Sequence, residues 1–139
     1  MDPDGEKIDD GWDWPIYSRP RLLRSMIVHH PRLFRRDAWE YIGGFNEELE
    51  NAVDYDFFLR LSEVGGMEHL GEKLYSYRIH HASTSQDKVD IQTKNTYIVQ
   101  RSALDRMKLS DFTNFAPNPD FPRRIHYTYP AFLNREAFV

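Results

Sequence analysis

The chain of 139 residues contains no cysteine. That excludes disulfides, thiolate zinc sites and a cysteine nucleophile, and it fits a reducing compartment. No apolar run approaches the roughly 18 residues of a membrane-spanning helix. Basic charge is not in excess: 18 Lys and Arg stand against 22 Asp and Glu, a formal net charge of −4. A nucleic-acid binder needs a net basic surface, so that class of partner is not expected. Seven Gly and eight Pro are ordinary totals, which excludes collagen-like and low-complexity chains. The acidic start Met1-Asp2-Pro3-Asp4 has none of the marks of a secretory signal. A cytoplasmic location is therefore expected, peripheral to a membrane where the chain forms part of a larger protein.

Aromatics are plentiful, with 9 Phe, 8 Tyr and 3 Trp. A chain of this length and composition can bury a core as one domain. Residues 1–20 read as loop, with Asp4-Gly5 as a turn and an aromatic stretch at Trp12 and Trp14. A short helix is expected at residues 19–25 around Leu22 and Leu23. Residues 36–42 give one or two further turns, ended by Gly43-Gly44. The clearest helix is 54–64, where Phe57, Leu61 and Val64 fall at i, i+4 and i+7 with Phe58 beside them. Residues 86–107 form a second long helix, and Ser83 with Gln86 has capping-box spacing. A short buried strand is expected at 26–28, and short strand-like runs at 67–70 and 74–79, the second of them alternating. Beyond Ser110 the Pro- and aromatic-rich remainder reads as an extended arm.

Three constellations can carry chemistry. In Glu50-Asn51-Ala52-Val53-Asp54-Tyr55-Asp56 two carboxylates open the best helix. Either can simply serve the helix start, as a cap or in the dipole's field. Helical phase separates them. Asp54 shares a side with Phe58 and Leu61, where a general base can stand. Asp56 falls with Arg60 and Glu63 on the outer, polar side, and suits a cap or an ion pair with Arg60. The second constellation is His80-His81 at the end of a strand-like run, where at most one imidazole can face a ligand. The third is His29-His30, for which a structural histidine is the competing reading. The basic residues Arg19, Arg21, Arg24, Arg32, Arg35 and Arg36 make either a solvated face or a site for phosphate or carboxylate. Asp2-Pro3-Asp4 imitates a DxD metal motif, but Gly5 follows it and no apolar strand precedes it, so it reads as a turn.

The stretch GGFNEELENAVDYDFFLRLSEVG, residues 43–65, resembles the second half of a family 2 glycosyltransferase of the GT-A type. The likeness extends to Trp14-Pro15, His29-His30, Phe34, Trp39, His69-Leu70, Tyr75, His80, Thr84-Ser85, Gln92 and Lys94-Asn95. With those positions the chain is similar to the second, glucuronosyltransferase domain of bacterial chondroitin and hyaluronan synthases. The resemblance implies an α/β fold, of which residues 1–107 would be the C-terminal, acceptor-binding half, with 108–139 as an extension. The N-terminal nucleotide-binding half, with its DxD motif, would be missing, so the isolated chain is expected to be inactive.

The resemblance further implies an inverting transferase that uses a UDP-sugar donor, UDP-glucuronate foremost, and a polysaccharide acceptor. Asp54 matches the catalytic base and His80 the ligand of a divalent metal, Mn or Mg. Trp14, His29, His30 and Asp56 are implied to bind substrate. A non-catalytic acceptor-binding or assembly segment is the rival class. Apolar surface left open by a missing half-sheet implies a homo-oligomer.

Overall fold

The computed structural model describes residues 5–6, 16–76, 89–110, 114–117 and 125–128. Four helices come first: α1 (Arg19–Arg24), α2 (Arg36–Tyr41), α3 (Val53–Val64) and α4 (Val89–Arg106). A two-stranded antiparallel ribbon follows, β1 (Asn114–Pro117) with β2 (Ile125–Thr128), in the register Phe115 opposite Tyr127.

Each helix has a local cause. Ser18 is the N-cap of α1, its hydroxyl accepting from the Arg21 amide, and Pro20 sits in the first turn, where no N–H is needed. α2 ends in a Schellman turn. The Gly43 amide donates to the Glu40 carbonyl at 3.1 Å and the Gly44 amide to the Trp39 carbonyl at 2.9 Å. Both glycines have positive φ, +79° and +72°. At Gly44 a Cβ would come within 3.0 Å of the Trp39 ring, so this position needs glycine twice over. α3 starts from Ala52 in the left-handed region (φ 63°) with no side-chain cap. Asp54 and Asp56 in its first turn face the positive end of the helix dipole.

The core lies where α1, α3 and α4 meet. Leu22 and Leu23 of α1, Phe57 of α3 and Val99, Ala103 and Leu104 of α4 are fully or almost fully buried. Most of the polar groups inside it are paired, although the Gln100 amide oxygen is buried without a partner. The Tyr55 hydroxyl donates to the Leu22 and Leu23 carbonyls at 2.6 and 3.0 Å. The Gln100 amide nitrogen lies 3.1 Å from the carbonyls of Leu23 and Arg24 and 2.9 Å from the Tyr55 hydroxyl. Outside the core, Arg106 clamps Glu63 with its Nη2 2.8 Å from Oε1, tying α4 to α3. Among the described residues no helix is long and apolar enough to cross a membrane.

The helices stand where the sequence puts them, within three residues at each described end. The expected short strands do not. Residues 26–28, 67–70 and 74–76 are neither helix nor strand, and 77–79 lie outside the described residues. Met26, Ile27 and Val28 are half-buried against the helical core, so their apolar surface is covered without a sheet. Met67 is half-buried against the same core, while Leu70, Leu74 and Tyr75 are exposed, so the later runs bury little. A strand exists only within a ladder, and no neighbouring strand stands beside either run among the described residues. The described part is therefore mostly helical, and the α/β expectation stands beyond what it displays. The Ser83–Gln86 capping box also falls outside it.

Candidate functional site

The site is built at the open, N-terminal mouth of α3. The loop of residues 26–35 crosses this mouth and delivers His29, His30 and Arg32 to Asp54. Arg32 is the hinge of the arrangement. Its Nη1 donates to Asp54 Oδ2 at 2.8 Å. Its guanidinium lies over the Phe58 ring, 5.3 Å from the centroid, one helical turn beyond Asp54. The Arg32 side chain is only 15% exposed, whereas that of Asp54 is 49% exposed. Arg32 Nε is buried with no hydrogen-bond partner. Asp54 Oδ1 accepts from the Tyr55 amide at 2.9 Å. Each carboxylate oxygen offers two lone-pair positions, so Asp54 retains acceptor capacity towards solvent.

The two histidines are held neutral. The pKa of His29 is lowered to about 4, by burial first and by the Arg32 cation second, against a backbone hydrogen bond to Met26 that raises it. The pKa of His30 is also lowered, by lost hydration first and by Arg32 second, with the Asp54 charge opposing. The His30 ring stacks on Tyr75, with centroids 5.2 Å apart and planes 29° apart. A half-exposed carboxylate beside two uncharged imidazoles and a buried cation can accept a proton from a neutral hydroxyl. It can also hold that hydroxyl's neighbours by hydrogen bonds.

Asp56 belongs to another structure. Its side chain is 7% exposed and sits 2.8 Å from both Nε and Nη2 of Arg60. Arg60 also donates to the carbonyls of Ile42 and Gly44, each at 2.8 Å, and so locks the end of α2 to α3. The ion pair expected of Asp56 with Arg60 is present. The outer, solvated position and the capping role are not: Ala52 is the N-cap, and α2 with its glycine turn covers this flank of the helix. Trp14 and His80 lie outside the described residues.

The structure thus brings together Asp54, His29 and His30 and separates Asp56 from them. Two participants are named in the sequence reading but not placed at this site. Arg32 is one of six arginines in a basic stretch, and nothing local marks it as the partner of a residue 22 positions away. Tyr75 sits in an alternating run that reads as strand. Among the described residues no group of three or more His, Asp and Glu could hold a metal ion.

No family model matches the chain. Three relatives do. The chain is 45% identical over 112 residues to a chondroitin synthase of Pasteurella multocida, covering 81% of this chain and 12% of that protein. It is 46% identical over 129 residues to a hyaluronan synthase of the same organism, covering 93% of this chain and 13% of the synthase. It is 39% identical over 134 residues to a chondroitin synthase of Escherichia coli, covering 96% of this chain and 19% of that protein. The chain therefore spans a fifth or less of the length of these relatives. On that likeness, which runs through both the Asp54 mouth and the Asp56 flank, the chain is a family 2 glycosyltransferase relative.

Proposed function

We propose that this chain is the acceptor-side segment of an inverting glycosyltransferase that moves a sugar, glucuronate foremost, from a UDP-sugar to the non-reducing end of a glycosaminoglycan-like polysaccharide. The observation that carries the reading is the half-exposed Asp54 carboxylate, oriented by Arg32 at the mouth of α3. In a single displacement the acceptor oxygen attacks the anomeric carbon and the bond to the UDP oxygen breaks with inversion. The acceptor hydroxyl gives its proton to Asp54 as the new bond forms. UDP departs with the electron pair. Arg32 holds the carboxylate in place through Oδ2, and the exposed His30, being neutral, meets an acceptor hydroxyl without adding positive charge beside the base, while the half-buried His29 is neutral behind it.

A divalent ion belongs to this proposal through His80 alone. The described residues offer it no cluster, so no step is routed through it. Residues 1–107 are proposed as the acceptor half and 108–139 as an extension. Self-association and a cytoplasmic, membrane-peripheral setting are proposed with them.

The test replaces the matching segment of the E. coli chondroitin synthase with this chain and follows transfer from UDP-glucuronate to an oligosaccharide acceptor. The chimera should transfer. Asp54→Asn in it should lower single-turnover rates by about two to four powers of ten, the usual worth of general-base catalysis, with donor binding retained. Normal turnover by a folded Asp54→Asn chimera would remove Asp54 from the role. A folded chimera that binds acceptor without transferring would favour the non-catalytic segment.

A further inference from the structure

The loop after α3 presents a ring that the fold does not use. Residues 68–76 are all exposed, without helix or strand. Within them Tyr75 is 54% exposed. A tyrosine ring carries a large apolar area, and scattered exposure alone means nothing. Tyr75, however, has a partner: it stacks on His30 with ring centroids 5.2 Å apart. Leu70 and Leu74 of the same loop are exposed as well, so the loop offers an apolar patch and not a lone ring.

The place of this patch matters more than its size. His30 lies within electrostatic reach of both Arg32 and Asp54 and is itself uncharged at neutral pH. The stacked pair is thus an uncharged aromatic shelf two residues along the loop from Arg32, which holds the half-exposed Asp54 carboxylate at 2.8 Å. That pairing suits one kind of ligand. A pyranose has a face of C–H groups that wants an apolar plane, and a rim of hydroxyls that wants acceptors. A flat apolar surface next to one carboxylate satisfies both at once. A peptide would need backbone partners, and this loop lies in no ladder.

We propose that the stacked rings of Tyr75 and His30 form a ledge that carries a pyranose of the acceptor chain beside Asp54. The ledge rests on the transferase reading for the identity of that chain. Tyr75 supplies the face on which the sugar lies, and His30 holds Tyr75 in register with the α3 mouth. The tyrosine hydroxyl is not required, because stacking uses the ring.

The experiment uses the full chain and NMR titration with a chondroitin or hyaluronan hexasaccharide, and separately with UDP. The wild type should bind the hexasaccharide saturably, with ring-proton shifts at Tyr75 and His30. Tyr75→Ala should weaken binding about tenfold, the equivalent of roughly 1.4 kcal/mol and within the range of a ring-stacking contribution. Tyr75→Phe should bind within about twofold of wild type. Because Tyr75 is exposed, both variants should melt with the wild type, which keeps the comparison clean. Equal hexasaccharide binding by wild type and Tyr75→Ala overturns the ledge and leaves the transferase reading intact. Shifts of the Tyr75 ring by UDP and not by the hexasaccharide overturn it in favour of a nucleotide platform. A wild-type chain that binds neither overturns the ledge together with the acceptor-side reading.

Discussion

Asp54 and Asp56 stand two residues apart on α3, and each meets an arginine at 2.8 Å, yet the two pairs do opposite work. Around Asp56 everything is closed. Arg60 spends its donors on the carboxylate and on two backbone carbonyls, and the whole set is buried under the turn that ends α2. Around Asp54 the cation is buried and the carboxylate is open. One Arg32 donor, Nε, is left without a partner in the interior, a cost that a purely stabilising pair has no reason to carry. The difference teaches how to tell a clasp from a site on one helix. In the clasp the carboxylate is buried with its cation, and in the site the cation holds a carboxylate that stays open to solvent.

The sharpest way to break this comparison is to neutralise each carboxylate. Asp54→Asn should cost about two to four powers of ten in the transfer rate of the chimera while leaving its melting point nearly unchanged, read by rapid quench and calorimetry. Asp56→Ala should do the reverse. It leaves Arg60 buried without its counter-charge, so chemical denaturation of the chain should show a loss of about 3–5 kcal/mol. Equal melting losses for the two would erase the distinction.

The closed side can be probed again through its glycines. Gly43→Ala meets open space and only the left-handed backbone, a penalty of about 1–2 kcal/mol. Gly44→Ala adds the clash with Trp39 and should cost about 2–4 kcal/mol, so urea midpoints should order the two variants.

The open side has a smaller, pH-dependent signature. The folded pKa of His29 lies near 4, below that of an ordinary histidine near 6.5. Between those values the unfolded chain binds more protons than the folded one. The His29 contribution to stability is therefore complete above about pH 6.5 and is lost as pH falls towards 4. Melting curves across this window should show the decline in the wild type and a shallower one in His29→Gln.

Much of the helical framework could be read in the sequence because its signals are local. Ser18 with Pro20, Gly43-Gly44 and the spacing of Phe57 and Leu61 each act within a turn or two. The errors came where burial depends on distant neighbours. The phase argument gave α3 one buried stripe, yet Tyr55, Asp56 and Ser62 are buried too and Val64 is exposed, because α1 and α4 cover one side of the helix and α2 another. The run 26–28 looked like a strand because apolar residues in a short stretch demand cover, and sequence cannot say whether a sheet or a helix supplies it. Asp54 was legible as a candidate base from phase and resemblance. Arg32 was marked only as one of a basic stretch and Tyr75 only as one position of the resemblance; their place at this site was not legible, since they arrive from loops that no period describes.

The clasp of Tyr55 and Gln100 on the end of α1 also has a consequence for the order in which the chain assembles. A six-residue helix has too few internal bonds to persist by itself. The carbonyls of Leu22, Leu23 and Arg24 find their donors on α3 and α4, at sequence separations of 32 to 77 residues. Tyr55 brings its donor with α3 and Gln100 brings its own with α4, so α1 is secured by docking against those two helices. The loop of residues 26–35 follows from its end, so the Arg32–Asp54 pair depends on that docking.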